Sequence, residues 1–144
     1  MTIVVDAAPI IALADREDPW ASAVLSYITD SRELLVLPQM VVAEIDYLLH
    51  SRFGPRASRL FLQELVFATY AVECVEADDF STIALLSDRY RDLAPGLADL
   101  SVVVLAHRFQ TNRILTFDQR HFRTMAPILG GAFELLPMDD MRDR

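Results

Sequence analysis

The sequence TIVVDAAPII, residues 2–11, leads from an apolar segment straight into an acidic side chain. Residues Thr2–Val5 are apolar or β-branched, which is typical of a strand that is covered on both faces. Asp6 follows this segment directly. The same order recurs in RILTFDQRHF, residues 113–122, where Asp118 follows a second apolar segment. Two strands that each run into an aspartate predict that the fold gathers carboxylates in one place.

Segments of strand and helix character alternate along the whole chain. The predicted strands are residues 2–5, 34–38, 70–77, 113–117 and 132–137. The predicted helices are residues 9–14, 18–29, 39–51, 54–67, 78–90 and an apolar helix within residues 94–109. Because the strands are apolar almost throughout, they favour an α/β fold of three layers, with helices flanking a central, mainly parallel sheet of about four to five strands. A chain of 144 residues fits one domain, which we expect to span residues 1–137, with residues 138–144 as a short, charged and frayed C-terminal tail.

The composition restricts the compartment and the kind of partner. Hydrophobic residues make up 53% of the chain and the mean hydropathy is +0.26, yet no apolar run reaches the about 18 residues of a membrane span. We therefore expect no membrane segment and no signal peptide, and the single cysteine, Cys74, cannot form an internal disulfide. These features favour the cytoplasm. The high apolar content indicates a surface for a dimer or another partner.

The net charge of −8 argues against nucleic acid as a partner when it is taken over the whole chain. The segment from residue 107 to residue 124 differs, because it contains several arginines and only one acidic residue, Asp118. Its arginines are candidate contacts to a phosphate backbone, and a solvated charged face is the alternative. They are Arg108, Arg113, Arg120 and Arg123.

Four acidic residues are candidates for one site. Asp6 and Asp118 follow strands and should lie at the carboxyl edge of the sheet, although each alone could simply cap a helix or a turn. Glu44 falls beside the apolar stripe of helix 39–51, where it needs a partner or a metal; the alternative is an arginine ion pair or a rim position. Asp99 falls in the first turn of the apolar helix, where the helix dipole alone would favour it.

A shared site for these acids would have to contain a cation. Two carboxylates about 5 Å apart repel each other by roughly 3 kcal/mol at an effective dielectric constant near 20. A divalent ion removes that repulsion, and hard oxygen ligands favour Mg²⁺ or Mn²⁺ over Zn²⁺. The chemistry that fits is metal-assisted hydrolysis of a phosphodiester by an activated water.

Four segments together resemble a PIN domain, and more narrowly the VapC-type toxin ribonucleases of toxin–antitoxin pairs. They are VVDAAPIIAL at residue 4, VVAEIDYLL at residue 41, GLADLSVVVLAHR at residue 96 and ILTFDQRHF at residue 114. The resemblance implies a Mg²⁺- or Mn²⁺-dependent endoribonuclease with an acidic quartet at Asp6, Glu44, Asp99 and Asp118. It also implies an RNA substrate, a homodimer, and an antitoxin protein that is made alongside and blocks the site.

Within that quartet we assign roles as a hypothesis. Asp6 and Asp118 would be metal ligands, Asp99 would be a third ligand or would hold a metal-bound water, and Glu44 would position or deprotonate the attacking water. Thr116 and Ser101 are candidates for supporting positions around the ligands, and an ordinary structural role is as plausible for both. Many relatives have a further acidic residue shortly after the third one. This chain has none there, so we expect one resident ion.

Three other functions compete with this one. A haloacid-dehalogenase-type phosphotransferase needs a second acid where Ala8 stands and a lysine further on, and the chain contains no lysine. A receiver-like domain also needs a lysine. The third alternative is a PIN fold with a silent site that acts as a protein-interaction module.

Overall fold

The structure, a computed structural model, describes residues 1–142, and in them a single sheet contains five strands. The strands are β1 (Thr2–Val5), β2 (Leu34–Pro38), β3 (Ala71–Glu73), β4 (Arg113–Leu115) and β5 (Glu134–Leu136). Their order across the sheet is β3-β2-β1-β4-β5, and every neighbouring pair is parallel. The predicted parallel α/β sheet flanked by helices is therefore confirmed.

The helices connect the strands as the alternating pattern predicts. They are α1 (Ala7–Ala12), α2 (Ala21–Thr29), α3 (Gln39–Phe53), α4 (Pro55–Val66), α5 (Asp79–Arg89), α6 (Leu97–Arg108), α7 (Gln119–Thr124) and α8 (Met138–Arg142). Gly54 separates α3 from α4 at a φ of 88°, a conformation that side-chain-bearing residues rarely adopt. Pro55 then occupies the first position of α4, where its missing N–H is not needed.

The core lies on both faces of the sheet, and α6 is its most buried helix. Every residue from Leu100 to Ala106 is buried, and α6 contacts β1, β2, α3 and α5. This explains why α6 is apolar around its whole circumference instead of along one stripe. Since the helix is embedded, the acidic residue in its first turn, Asp99, is carried to the edge of the sheet.

Strand β1 lies at the centre of the sheet and sets the position of the crevice. The chain leaves β1 toward β2 on one side, and β4 later pairs with the other side of β1. A parallel sheet opens a crevice at the carboxyl ends of its strands where the order reverses in this way. The backbone N–H of Asp6 donates to the carbonyl of Leu115 at 2.9 Å, which fixes the ends of β1 and β4 side by side.

Several predicted boundaries are wrong. Helix α2 begins at Ala21 instead of residue 18, and β3 covers only Ala71–Glu73 of the predicted segment 70–77. The predicted frayed tail is wrong for residues 138–142, which form α8, and residues 143 and 144 lie outside the described residues. Helix α8 is anchored because the Asp139 carboxylate accepts from the backbone N–H of Leu135 at 2.7 Å and binds Arg123.

A search of residues 1–142 for a membrane-spanning helix finds none of sufficient length and apolar character.

Candidate active site

A cavity of about 400 Å³ opens at the carboxyl edge of the sheet, and its walls are strongly acidic. All four acids that the sequence singles out line it: Asp6, Glu44, Asp99 and Asp118. Each comes from a different element, namely the end of β1, the middle of α3, the first turn of α6 and the segment after β4. The fold thus brings together residues that are far apart in the sequence.

Asp6 is the most buried of these acids, with 7% of its surface exposed. One carboxylate oxygen accepts from the backbone N–H of Ala7 at 2.8 Å, so Asp6 caps α1 as well as lining the cavity. The other accepts from the hydroxyl of Thr116 at 2.7 Å. Burial, and to a smaller extent the negative charges of Asp99 and Glu44, raise the pKa of Asp6 to about 6 despite these two bonds.

The hydroxyl of Thr116 joins Asp6 to the segment that carries Asp118. It donates to Asp6 and accepts from the backbone N–H of Asp118 at 3.0 Å. Thr116 is fully buried, and its own N–H donates to the carbonyl of Leu136 on the neighbouring strand. Thr116 therefore hydrogen-bonds to two of the residues that line the cavity.

Asp118 is held by the residues that follow it. Its two carboxylate oxygens contact His121, one accepting from the backbone N–H at 3.0 Å and the other lying 2.6 Å from Nδ1 of the ring. Asp118 is thereby the N-cap of α7. His121 also lowers the pKa of Asp99, although burial raises that pKa on balance. His121 thus acts on the cavity by holding an acid in place.

Asp99 and Glu44 complete the acidic wall. Asp99 accepts from the backbone N–H of Gly96 at 3.0 Å, in the first turn of α6, as the sequence predicts. The side chain of Glu44 is only partly covered, and its carboxylate makes no hydrogen bond or ion pair with the described residues, so an arginine ion pair does not explain its position. Its pKa is raised, first by burial and then by the charge of Asp99.

The donor set of the cavity suits a hard cation by its chemistry. Its candidate ligands are carboxylate oxygens, and the pKa values of Asp6, Glu44 and Asp99 are raised, first by burial and then by the charges of neighbouring acids. In residues 1–142, however, no three histidine, cysteine or carboxylate side chains are already arranged to hold an ion. The acids are turned toward protein donors instead, such as Gly96 for Asp99 and His121 for Asp118.

Some residues that line the cavity have no assigned role in the sequence reasoning. Asp15 and Asp18 reach it from the loop before α2, and no strand or helix period predicts where such a loop lies. Arg52 also lines it, two helical turns after Glu44 on α3. That spacing is visible in the sequence and could have identified Arg52, because residues eight apart share one helix face.

The predicted RNA-contacting arginines do not gather at the cavity. Arg113 begins β4 at the amino edge, where it pairs with Glu33 and Glu134. Arg108 ends α6 and binds Asp79, and Arg123 binds Asp139. Arg120 is exposed and lies two residues after Asp118, and its side chain makes no ion pair with the described residues. Ser101 is likewise directed elsewhere, since its hydroxyl donates to the carbonyl of Ala98 within α6 at 2.6 Å.

Comparison with known proteins places this arrangement in a family. No protein-family model matches the chain. The chain is 36% identical to Ribonuclease VapC26 of Mycobacterium tuberculosis strain H37Rv over 135 residues, which is 94% of this chain and 100% of that protein. The chain belongs to the VapC ribonuclease family. The predicted class, a ribonuclease of the VapC toxin type, is confirmed at the level of the family.

A solved structure supports the fold of this VapC-family chain independently. The crystal structure of VapC20 of Mycobacterium tuberculosis, a sarcin–ricin loop cleaving toxin, superposes with a TM-score of 0.72. The match covers 81% of this chain and 89% of that one, at 20% sequence identity. At this identity the comparison establishes the shared fold.

Removing the Thr116 hydroxyl from this VapC-family site should impair both cleavage and stability. We expect Thr116→Val to lower the RNA cleavage rate about 10-fold, the size typical for a residue that holds a ligand in place. The free energy of unfolding should fall by about 1–3 kcal/mol, because the Asp118 N–H and the Asp6 carboxylate lose a buried partner. Cleavage rates and urea unfolding at pH 7.5 measure the two effects.

Thr111 offers a matched control at the opposite edge of the sheet. Its hydroxyl also bridges two segments, donating to the carbonyl of Thr2 at 2.7 Å and accepting from the N–H of Arg113. Thr111→Val should therefore lose stability while the cleavage rate of the folded protein stays the same. An equal loss of cleavage in both variants would show that Thr116 has no specific role at the cavity.

Proposed function

We propose that the chain is an endoribonuclease toxin that hydrolyses RNA phosphodiester bonds at the acidic cavity with the help of Mg²⁺ or Mn²⁺. The observation that carries the proposal is the convergence of four carboxylates from four elements on one cavity. Burial raises the pKa of Asp6 and of Asp99, and the charges of neighbouring acids raise both further in the same direction, so gathering carboxylates there without a cation costs stability. A site that needs a cation and lies in a crevice is suited to phosphodiester chemistry.

Asp6, Asp99 and Asp118 would hold the ion. When bound, the ion supplies positive charge that polarises the phosphate and lowers the pKa of a water. The chain's own residues prepare these ligands. Thr116 and the N–H of Ala7 fix the carboxylate of Asp6, and His121 fixes that of Asp118.

Glu44 is suited to accept the proton of the attacking water. Unlike the other three acids, it makes no hydrogen bond with the described residues, so its oxygens are available. Its raised pKa brings it closer to neutral pH and makes it a stronger base than an ordinary glutamate. The proton moves from the water to a carboxylate oxygen of Glu44 while the water oxygen attacks phosphorus. The bond between phosphorus and the ribose oxygen breaks, and that oxygen takes a proton from solvent and leaves as a hydroxyl.

Arg52 and Arg120 are the best-placed contacts for the RNA backbone. Arg52 lines the cavity, and Arg120 is exposed in the first turn of α7, two residues after Asp118. Arg108, Arg113 and Arg123 each bind a carboxylate elsewhere, which makes them weaker candidates than the sequence predicts.

Neutralising either of these two arginines should weaken RNA binding and reduce the dependence of that binding on salt. For Arg52→Gln and for Arg120→Gln, we expect the slope of log affinity against log salt to become shallower by about 0.7, the value for one lost contact to a single strand. The matched control is Arg32→Gln, an exposed arginine just before β2 at the opposite edge of the sheet. Binding titrations at several salt concentrations give the slopes, and equal slopes in all three variants would contradict the assignment.

An apolar groove on this chain, beside the acidic cavity, is the surface that we propose for the antitoxin partner. A second cavity of about 750 Å³ lies among α1, α2, α3 and α4, and Phe53 lines both cavities. Its wall includes the exposed apolar side chains of Leu25 and Leu60. A partner segment in this groove would lie next to the acids and block RNA. Leu60→Arg should weaken copurification with the coexpressed partner, and unchanged copurification would place the partner elsewhere.

A homodimer in the cytoplasm completes the proposal. Leu62, Val66 and Phe67 are apolar and exposed toward the end of α4, with Val66 82% and Phe67 75% exposed. An apolar surface of this kind is typical of a protein interface. Sedimentation of the chain and of Val66→Glu tests it, since a dimer that uses this surface should shift toward monomer in the variant.

The direct test of the activity is RNA cleavage by the purified chain, freed of any partner, with Mg²⁺, Mn²⁺ or EDTA. We expect cleavage with either ion and none with EDTA. Cleavage that persists in EDTA would contradict the metal requirement, and no cleavage of total RNA with either ion would contradict the proposed activity.

A further inference from the structure

Two aromatic rings meet beside the acidic cavity. The ring centroids of Trp20 and Phe117 lie 6.2 Å apart, with their planes tilted by 43°. Phe117 lines the cavity directly before Asp118, and it also packs against the hydrophobic core. Trp20 does not line the cavity itself. Its backbone N–H donates at 2.8 Å to the carboxylate of Asp18, which does line it. Both rings are half-buried, so part of each remains accessible.

This ring pair supplies a kind of contact that the rest of the cavity lacks. Asp15 and Asp18 add to the four acids of the wall, and Arg52 is the only basic residue among those that line it in residues 1–142. Such a wall repels the phosphates on either side of the one being cut. The net charge of −8 adds no general attraction for RNA. Affinity must therefore include a contribution that does not depend on charge.

Stacking of nucleobases on aromatic side chains is such a contribution. Every base has a π-face, and alanine substitutions show that stacking on a protein ring is a substantial part of single-strand binding. Tryptophan offers the largest ring for this purpose and keeps a rigid geometry when a second ring supports it. Trp20 is backed by Phe117, which is itself fixed on the core.

We propose that Trp20, supported by Phe117, is a stacking platform for an unpaired nucleobase of the RNA strand whose phosphate enters the acidic cavity. This inference rests on the proposed ribonuclease function. By its position Trp20 is the N-cap of α2, which is a structural role. The inference adds a second role, as a residue that binds the substrate. The predicted start of α2 at Asp18 and Pro19 obscured this residue in the sequence.

Trp20 reports on the proposal directly because it is the only tryptophan in the chain. The protein used in the titrations is the full chain with Asp6→Asn, in Mg²⁺ buffer, so that the RNA is not cleaved while binding is measured. A short unpaired RNA labelled at one end is titrated by anisotropy, which measures binding, and in parallel unlabelled RNA is titrated by tryptophan fluorescence. The control probe is a ribose-phosphate oligomer of equal length and charge without bases. We expect the RNA to bind and quench the fluorescence, and the oligomer without bases to bind about fivefold to 100-fold more weakly without quenching.

Substitutions give a second measurement that does not depend on fluorescence. Trp20→Leu should raise the KM for RNA cleavage about fivefold to 100-fold, whereas Trp20→Phe keeps a ring and should recover most of that loss. The matched control is Phe80→Leu, an exposed aromatic in the first turn of α5 that does not line the cavity, which should leave KM unchanged. Circular dichroism establishes that each variant is folded.

The outcomes separate this inference from the proposed function. RNA that binds without quenching, together with an unchanged KM in Trp20→Leu, overturns the stacking platform and leaves the nuclease in place. Equal binding of RNA and of the oligomer without bases also overturns it. If neither probe binds and the wild-type chain cuts no RNA, the proposed function itself fails, and the stacking platform fails with it.

Discussion

Replacing Asp118 by asparagine should lower RNA cleavage by about 100- to 1,000-fold while the protein stays folded. This is the size expected when one group that stabilises developing charge is removed. Asparagine keeps an oxygen that can accept from the His121 N–H, so the cap of α7 survives. Asp6→Asn should lower cleavage by a similar factor and also stay folded, since the asparagine oxygen can still accept from the backbone N–H of Ala7. Single-turnover cleavage and circular dichroism measure the two properties.

Asp88→Asn is the control for these variants. Asp88 is an exposed acid on α5 that pairs with Arg91, with 77% of its side chain accessible, so it lies outside the cavity wall. Its loss should leave cleavage unchanged. If Asp6→Asn and Asp118→Asn also cut RNA at the wild-type rate, the cavity does not perform the hydrolysis. The silent PIN fold that acts by binding proteins would then be the better account.

The second large effect concerns stability and pH in the absence of metal. The pKa of Asp6 is raised from 3.8 to about 6 in the folded chain, so the folded state holds this proton more tightly than the unfolded state. The stability that this proton contributes is complete below pH 4 and is lost as the pH rises through 6. The difference in pKa corresponds to about 3 kcal/mol. Asp99 and Glu44 shift in the same direction.

The contribution of Asp6 can be isolated by comparison with Asp6→Asn, which carries no charge at any pH in this range. With EDTA present, we expect the free energy of unfolding of the wild type to fall by about 3 kcal/mol relative to the variant between pH 4 and pH 8. Urea unfolding at each pH measures the difference. The pKa of Asp139 is lowered by Arg123, an effect of opposite sign that is common to both proteins and cancels. A constant difference across the range would contradict the raised pKa of Asp6.

The fold and the acidic residues could be predicted because they follow from periodicity and strand direction. Buried parallel strands end at one edge, so Asp6 and Asp118 had to lie near each other once both strands were recognised. Both also cap helices, so the capping role given as the alternative is observed, and both side chains also line the cavity. Asp99 was predictable because a carboxylate in the first turn of a buried helix has few other places to lie.

The surroundings of the acids could not be predicted in the same way. Asp15, Asp18 and Trp20 belong to a loop, and loop paths depend on tertiary contacts such as the one between Trp20 and Phe117. The partner of Arg123 is Asp139 on α8, a helix where the charged sequence suggested a tail.

Arg113 illustrates a different limit. It begins a parallel strand, so the same argument that placed Asp118 at the carboxyl edge places Arg113 at the amino edge. The arginine-rich composition of its segment outweighed this directional argument in the sequence analysis. Composition identifies which residues are charged, but only strand direction shows at which edge each charge lies.

The central claim is that the four carboxylates form a site for one divalent ion, and thermal unfolding with added Mn²⁺ or Mg²⁺ tests it most directly. At pH 7.5 we expect the wild-type Tm to rise with ion concentration, with a stabilisation of about 2.7 kcal/mol at 100 times the Kd. The double variant Asp6→Asn, Asp118→Asn should show no such rise. A wild-type Tm that does not respond to either ion, or a rise of equal size in the double variant, would contradict the claim.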